Sequence, residues 1–170
     1  MNIRVGGPAD AQIVLDLFDE AVAWLVARGQ TGQWGTEPFS AVERRVAAVR
    51  KWAAGDGLRI AEIDDEPAGA LVLGVHPPWV SPADVPERYI EALVTSRRHA
   101  GQDIGGALIR HAVDETRAAG IPLLRVDCWA GAPSLVAWYE RQGFTRSGTF
   151  VVLDGTWHGQ VFSRRVDTDS

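Results

Sequence analysis

Apolar residues recur along the chain with two different spacings, and the spacing separates helices from strands. Val14, Leu17, Phe18, Ala21 and Leu25 repeat every three or four positions, which puts them on one stripe of an α-helix. Ile3–Val5 ahead of it reads as a short strand that enters the helix through Gly6, Gly7 and Pro8. Gly29 is placed to end that helix in the left-handed conformation. After the loop QTGQWGTEPF comes a second helix carrying Val42, Val46, Val49 and Trp52, with Ser40 and Glu43 as its capping box and Gly55 and Gly57 as its close.

The period then changes to that of strands. LRIAEI and GALVLG flank Asp64, Asp65, Glu66 and Pro67, a polar turn of hairpin length, so the pair is expected to be antiparallel. YIEALVT, Tyr89–Thr95, is a third run of strand type, followed by Gly101, Gly105 and Gly106 and a helix that ends at Gly120. PLLRVDCW is a fourth. Strand, helix and strand in sequence make a parallel unit with a right-handed crossover, which sets the amino end of the helix beside the carboxyl end of its first strand. A short helix, Pro133 to Gln142, stopped by Gly143, and two strands around Asp154 and Gly155 complete the chain.

Composition narrows the function classes. A length of 170 residues suits a single domain over residues 1–170, and 46% hydrophobic with 23% charged residues is the balance of a folded globular protein. The formal net charge of −5 argues against a nucleic-acid partner, which calls for clustered surplus Lys and Arg. Cys128 stands alone, so no intrachain disulfide forms, and no His and carboxylate set has metal-ligand spacing. Asp10, Asp16, Asp19 and Glu20 interrupt any signal-peptide core, and Pro77, Pro78 and Pro82 break the long uncharged run Pro67–Ala83, so neither export nor a membrane span is expected. The resulting expectation is a cytoplasmic protein.

Glycine is a poor residue for the first turn of an ordinary helix, so Gly105 and Gly106 at the start of the third helix need a cause. The first turn carries unpaired amides and the positive end of the helix dipole, and glycines there let a phosphate reach the backbone. No Lys-Ser or Lys-Thr follows as in a P-loop, and a dinucleotide fold places its glycines after the first strand.

The stretch Ala100, Gly101, Gln102, Asp103, Ile104, Gly105 resembles the acyl-CoA loop of the GNAT superfamily of N-acetyltransferases, which typically reads Arg or Gln, two residues, Gly, one residue, then Gly or Ala. Ala100 and Asp103 depart from that pattern. APSLVAWYERQGF looks like the fourth helix of the same superfamily, with Ala132 where many relatives carry an Asn that contacts the pantetheine arm, so that hydrogen bond is either absent or supplied by Ser134. The resemblance covers nearly the whole chain and is strongest from Tyr89 to Phe144. It implies an α/β (α+β) fold with a mixed, mostly antiparallel sheet, a splayed parallel strand pair and helices on both faces. It also implies an acetyl-CoA-dependent N-acetyltransferase that transfers acetyl directly to a primary amine of a small molecule or peptide.

Such a transfer needs a neutral amine, aligned reactants, a stabilised oxyanion and a protonated leaving thiolate. By the resemblance, Tyr139 is the acid facing the CoA sulfur, main-chain groups of Leu93, Val94 and Thr95 hold the pantetheine, and Ala100, Gly101, Gln102, Asp103, Ile104, Gly105 and Gly106 hold the diphosphate. Core filling is the competing role for Tyr139. Glu91 shares a strand face with Tyr89 and Leu93 and is the candidate base, with a salt bridge or a solvated face as its alternative. His99 is expected in solvent, and His111 and His158 are read as structural; Cys128 is read as packing. Trp34 and Trp79 either line an acceptor pocket or cover the core. Two rival functions remain open: a non-catalytic CoA-binding module, motivated by Ala100 and Asp103, and an interaction module that forms a homodimer through the terminal hairpin VVLDGTWHGQVF.

Overall fold

Polar turns and periodic apolar faces resolve into seven strands and four α-helices among the described residues, 1–167, of the computed structural model. In chain order these are β1 Asn2–Val5, α1 Ala11–Ala27, α2 Glu43–Ala54, β2 Leu58–Ile63, β3 Glu66–Gly74, β4 Glu87–Thr95, α3 Ile104–Ala118, β5 Leu123–Trp129, α4 Pro133–Arg141, β6 Thr145–Val152 and β7 Trp157–Arg165. The strands form one sheet in the order β1-β2-β3-β4-β5-β7-β6. The β4–β5 pair is parallel, whereas β1–β2, β2–β3, β5–β7 and β6–β7 are antiparallel. The expected mixed, mostly antiparallel sheet with a parallel pair is thus present.

The chain divides into two compact units, one comprising Met1–Leu73 with Ala92–Leu108 and the other Gly74–Glu91 with the chain from Ile109 onward. In the first, α1 and α2 bury Val14, Leu17, Phe18, Val22 and Val49 with Leu58, Ile60, Ala70, Val72 and Val94 of the strands. Phe18 is fully buried and stacks on Phe39 at 4.1 Å between ring centroids, and Trp34 meets both edge-on, so Trp34 covers the core. Alternation puts Gly69 on the strand face opposite Ala70. A Cβ on Gly69 would stand 2.9 Å from Ile104 Cγ2 and 3.1 Å from Leu108 Cδ1, so the first turns of α3 lie on that second face. Helices therefore cover both faces of this unit's strands.

In the second unit, β5, β7 and β6 form a meander with two different faces. Val126 and Phe162 pair across it, and Phe162 stacks under Tyr139 of α4 at 5.3 Å. Asp127 and Val161 pair on the opposite face, where Val161 joins Val80, Tyr89 and Phe150 in a second apolar cluster. Trp79 is half exposed, 6.3 Å from the Phe150 ring.

One start signal reads differently in the structure. Ser40 and Glu43 form no capping box: Val42 precedes α2 with no side-chain cap, while Ser40 donates to Asp19 from its amide (3.0 Å) and its hydroxyl (2.6 Å). A carboxylate from a distant helix takes the hydroxyl that local spacing assigned to the cap. Beyond α1, Gly29 adopts φ +70°, as its terminator role requires. No helix among the described residues is long and apolar enough to cross a membrane.

Candidate active site

The segment from the end of β4 to α3 is fixed by the α1 side of the first unit. Ser96 is buried; its amide donates to Ala68 O at 2.7 Å and its hydroxyl to Glu20 Oε1 at 3.2 Å. Glu20 Oε1 also accepts from the Arg97 amide at 2.7 Å. The Arg97 and Arg28 guanidinium carbons each lie 3.9 Å from the Trp24 ring centroid, a cation–π arrangement on a half-buried indole. His99 corrects its expected solvent position: Nε2 is buried without a hydrogen-bond partner, 3.8 Å from a Glu66 carboxylate oxygen. His99 closes the 3-10 turn Arg97–His99.

The loop then turns through two left-handed residues, Gly101 at φ +84° and Asp103 at φ +54°. Asp is one of the few side chains that tolerate this region, because it is short and bonds locally. The Asp103 carbonyl accepts from the Ala107 amide at 3.0 Å, so Asp103 immediately precedes the helix in the capping position. Its carboxylate folds back over the first turn. A Cβ on Gly106 would collide with Asp103 Oδ1 and stand 2.9 Å from Cγ. The group beside Gly106 is therefore the movable end of a side chain of the chain itself. The amino end of α3 thus carries a carboxylate of the chain's own, as a capping aspartate places it.

In the second unit, Tyr139 is buried on α4 among Trp138, Phe144 and Phe162. Burial, then the nearby charges of Cys128 and Asp127, push its phenol well above the ordinary value, so it carries its proton throughout the physiological range. Glu91 is exposed on β4 and meets no counter-ion among the described residues, so it is solvated and pays no burial penalty. A Cβ on Gly74 would stand 2.6 Å from Glu91 Cδ, so the glycine makes room for this side chain. Ser134 is exposed on the first turn of α4, with Ala132 as the residue before it. Burial, then the Asp127 charge, push the Cys128 thiol up to about 12, which fits packing. Leu93 and Thr95 are half-buried and Val94 is in the core of the first unit.

The parallel ladder runs only from Glu87↔Leu123 to Ile90↔Val126, although β4 continues to Thr95 and β5 to Trp129. Sequence reasoning missed the polar group that this short ladder assembles. Arg125 bonds both carboxylate oxygens of Glu87 (both 2.9 Å) and Ser81 O (2.8 Å), while the Tyr89 hydroxyl donates to Asp127 Oδ2. Arg125 neutralises Glu87 and leaves Asp127 with a phenol alone, and burial raises the Asp127 carboxyl above its ordinary value despite that hydrogen bond. The available signal was charge at every second position of an apolar strand, Arg125 and Asp127 in LLRVDCW, which places them on one face. Among the described residues no group of three or more His, Cys, Asp and Glu could hold a metal.

Comparison with known proteins places this geometry in context. The sequence model described as "Acetyltransferase (GNAT) family" matches residues 19–144. A GNAT-family acetyltransferase from Listeria monocytogenes 4b F2365 has a similar structure: TM-score 0.75, 22% identity, covering 97% of this chain and 94% of that one. The Salmonella typhimurium protein yncA, solved with its cofactor acetyl-CoA, gives TM-score 0.67 at 18% identity over 100% and 96%. The ribosomal-protein-S18-alanine N-acetyltransferase of Escherichia coli gives 0.68 at 15% identity over 99% and 96%. These identities carry the fold alone. A comparison with curated proteins finds no match.

Proposed function

The chain belongs to the GNAT family of acetyltransferases, and from that premise we propose that it transfers an acetyl group from acetyl-CoA directly to a primary amine of a small molecule or peptide. The observation that carries this reading is the mouth of α3, where a glycine-stripped first turn already receives a carboxylate. Loop residues Ala100 to Gly106 would hold the diphosphate, main-chain groups of Leu93, Val94 and Thr95 the pantetheine, and Ser134 its amide in place of the missing Asn. When bound, acetyl-CoA supplies an acyl group activated as a thioester.

The chain's own groups handle the protons. An alkylammonium with a pKa of about 10 must lose one proton before its nitrogen can attack, and the solvated Glu91 carboxylate accepts it directly or through water. The new carbon–nitrogen bond forms as the carbon–sulfur bond breaks. The nitrogen's second proton leaves to solvent, the Tyr139 phenol protonates the departing sulfur, and a proton from solvent restores the phenol. Burial keeps that phenol neutral and so available as a donor. The lone buried Cys128 suits a reducing compartment such as the cytoplasm.

The test is a thiol-release assay with acetyl-CoA and a panel of primary amines: an alkyl polyamine, an arylalkylamine and a peptide with a free amino terminus. Amine-dependent release of CoA thiol is the expected result. CoA binding without release under every amine would leave a non-catalytic CoA-binding module instead.

A further inference from the structure

The parallel ladder and the meander of the second unit gather polar and apolar groups on one sheet face. Pairing and alternation place Glu87 and Tyr89 of β4, Arg125 and Asp127 of β5 and Val161 of β7 on that face. Arg125 and Glu87 satisfy each other. Asp127 has no cation: its Oδ2 accepts from the Tyr89 hydroxyl, and its other oxygen takes no hydrogen bond from the described residues. Nor is that oxygen enclosed, since among the described residues His99 Nε2 is the one enclosed side-chain nitrogen or oxygen without a partner. Beside the half-buried carboxylate stands an apolar wall. Val161, directly across the ladder from Asp127, packs with Val80, Tyr89 and Phe150. The Phe150 ring lies over Gly159, where a Cβ would collide with it, and Trp79 and Trp157 stand 6.3 Å and 5.8 Å from that ring. Trp79 is 54% exposed, so the wall reaches solvent.

We propose that this face receives the acceptor, with Asp127 seating the ammonium of an arylalkylamine whose ring lies against Phe150 and Trp79. The assignment rests on the transfer proposed above and narrows it from any primary amine to one chemical class. A half-buried carboxylate without a counter-ion attracts a cation more strongly than a solvated one, because less water screens the pair. Tyr89 orients that carboxylate without neutralising it and leaves one oxygen for a charge-assisted hydrogen bond from the amine. Aromatic side chains beside the carboxylate favour a flat apolar body attached to the positive centre. Amino acids fit poorly, since their own carboxylate would meet Asp127 while Arg125, two positions along β5, is already bound to Glu87 and Ser81 O. Polyamines fit poorly too, because a second ammonium would lose its water against the apolar wall. Glu91 follows Tyr89 on the same face just past the end of the ladder and keeps its part as proton acceptor.

The test measures thiol release from acetyl-CoA with phenethylamine, ethylamine, spermidine and phenylalanine as acceptors. In the wild-type chain kcat/KM for phenethylamine is expected to exceed each of the others by about tenfold or more. Trp79→Ala changes a half-exposed side chain remote from the carboxylate, and is expected to raise KM for phenethylamine about fivefold while ethylamine stays within about twofold. Asp127→Asn removes the charge at nearly constant size, and is expected to raise KM for both amines about tenfold or more with KM for acetyl-CoA unchanged. Calorimetric titration of the same chains with phenethylamine reads the seat without turnover, and thermal melting shows that each variant folds. If Asp127→Asn melts far below wild type, Trp79→Ala decides alone. A preference for spermidine or phenylalanine, or an unchanged KM for phenethylamine in either folded variant, overturns the inference and leaves the transfer reading standing. If no amine releases thiol, the transfer reading falls and takes the inference with it.

Discussion

Tyr139 carries the sharpest residue-scale question, because its surroundings serve two purposes. Stacking on Phe162 and edge contacts with Trp138 and Phe144 hold the ring, as core filling would, yet among the described residues its hydroxyl makes no hydrogen bond. A phenol that only packed would gain nothing from its oxygen. Tyr139→Phe is therefore expected to leave melting unchanged or slightly raised and CoA affinity within about twofold, while kcat falls roughly a hundredfold, the usual contribution of a positioned acid. Stopped activity assays and calorimetry on the same preparation check this; an unchanged kcat removes Tyr139 from the chemistry. The residue type and its place on α4 were legible from sequence, whereas its aromatic seat depended on the β7 strand beneath it.

Elements meet where small residues allow it. Gly69 of β3 faces the first turns of α3, and an added methyl would press on the Val94 carbonyl at 3.0 Å as well as on Ile104 and Leu108. The backbone atom cannot move aside cheaply, so Gly69→Ala is expected to cost about 1–3 kcal/mol, as overpacking typically does, and to lower the melting temperature by several degrees. Because α3 follows the loop proposed to hold the diphosphate, CoA affinity should weaken in the same variant; scanning calorimetry with and without CoA reads both effects. At this scale the hairpin was legible but its turn is shorter than expected: Asp64 and Asp65 take φ +52° and +64°, the two left-handed positions of a tight turn, while Glu66 and Pro67 already pair with β2 as the start of β3. The α2 start was not, since Asp19 captures Ser40 across 21 positions of sequence.

For the molecule as a whole, a ligand bound only by the folded state shifts the unfolding equilibrium by mass action. At a CoA concentration one hundred times Kd the gain is about 2.7 kcal/mol, which for a chain of this size corresponds to roughly 5–10 °C in melting temperature. A thermal shift series over CoA concentration is expected to follow that logarithmic dependence. A flat series up to millimolar CoA would contradict donor binding by the folded chain, whatever single residues do.

What the sequence determined by itself is the order and type of the elements and the glycine-rich entry to α3, because hydrophobic period, turn chemistry and backbone freedom are local properties. It also carried the family resemblance, strongest from Tyr89 to Phe144 and broken at Ala100, Asp103 and Ala132. Only the tertiary structure decided which anion lies in that entry, that Glu91 is solvated while Asp127 is held by Tyr89, and that His99 turns inward. Tyr89 and Asp127 are 38 positions apart. Strand register, set by how whole faces bury their apolar side chains, brings such groups together, and no short window of sequence contains it.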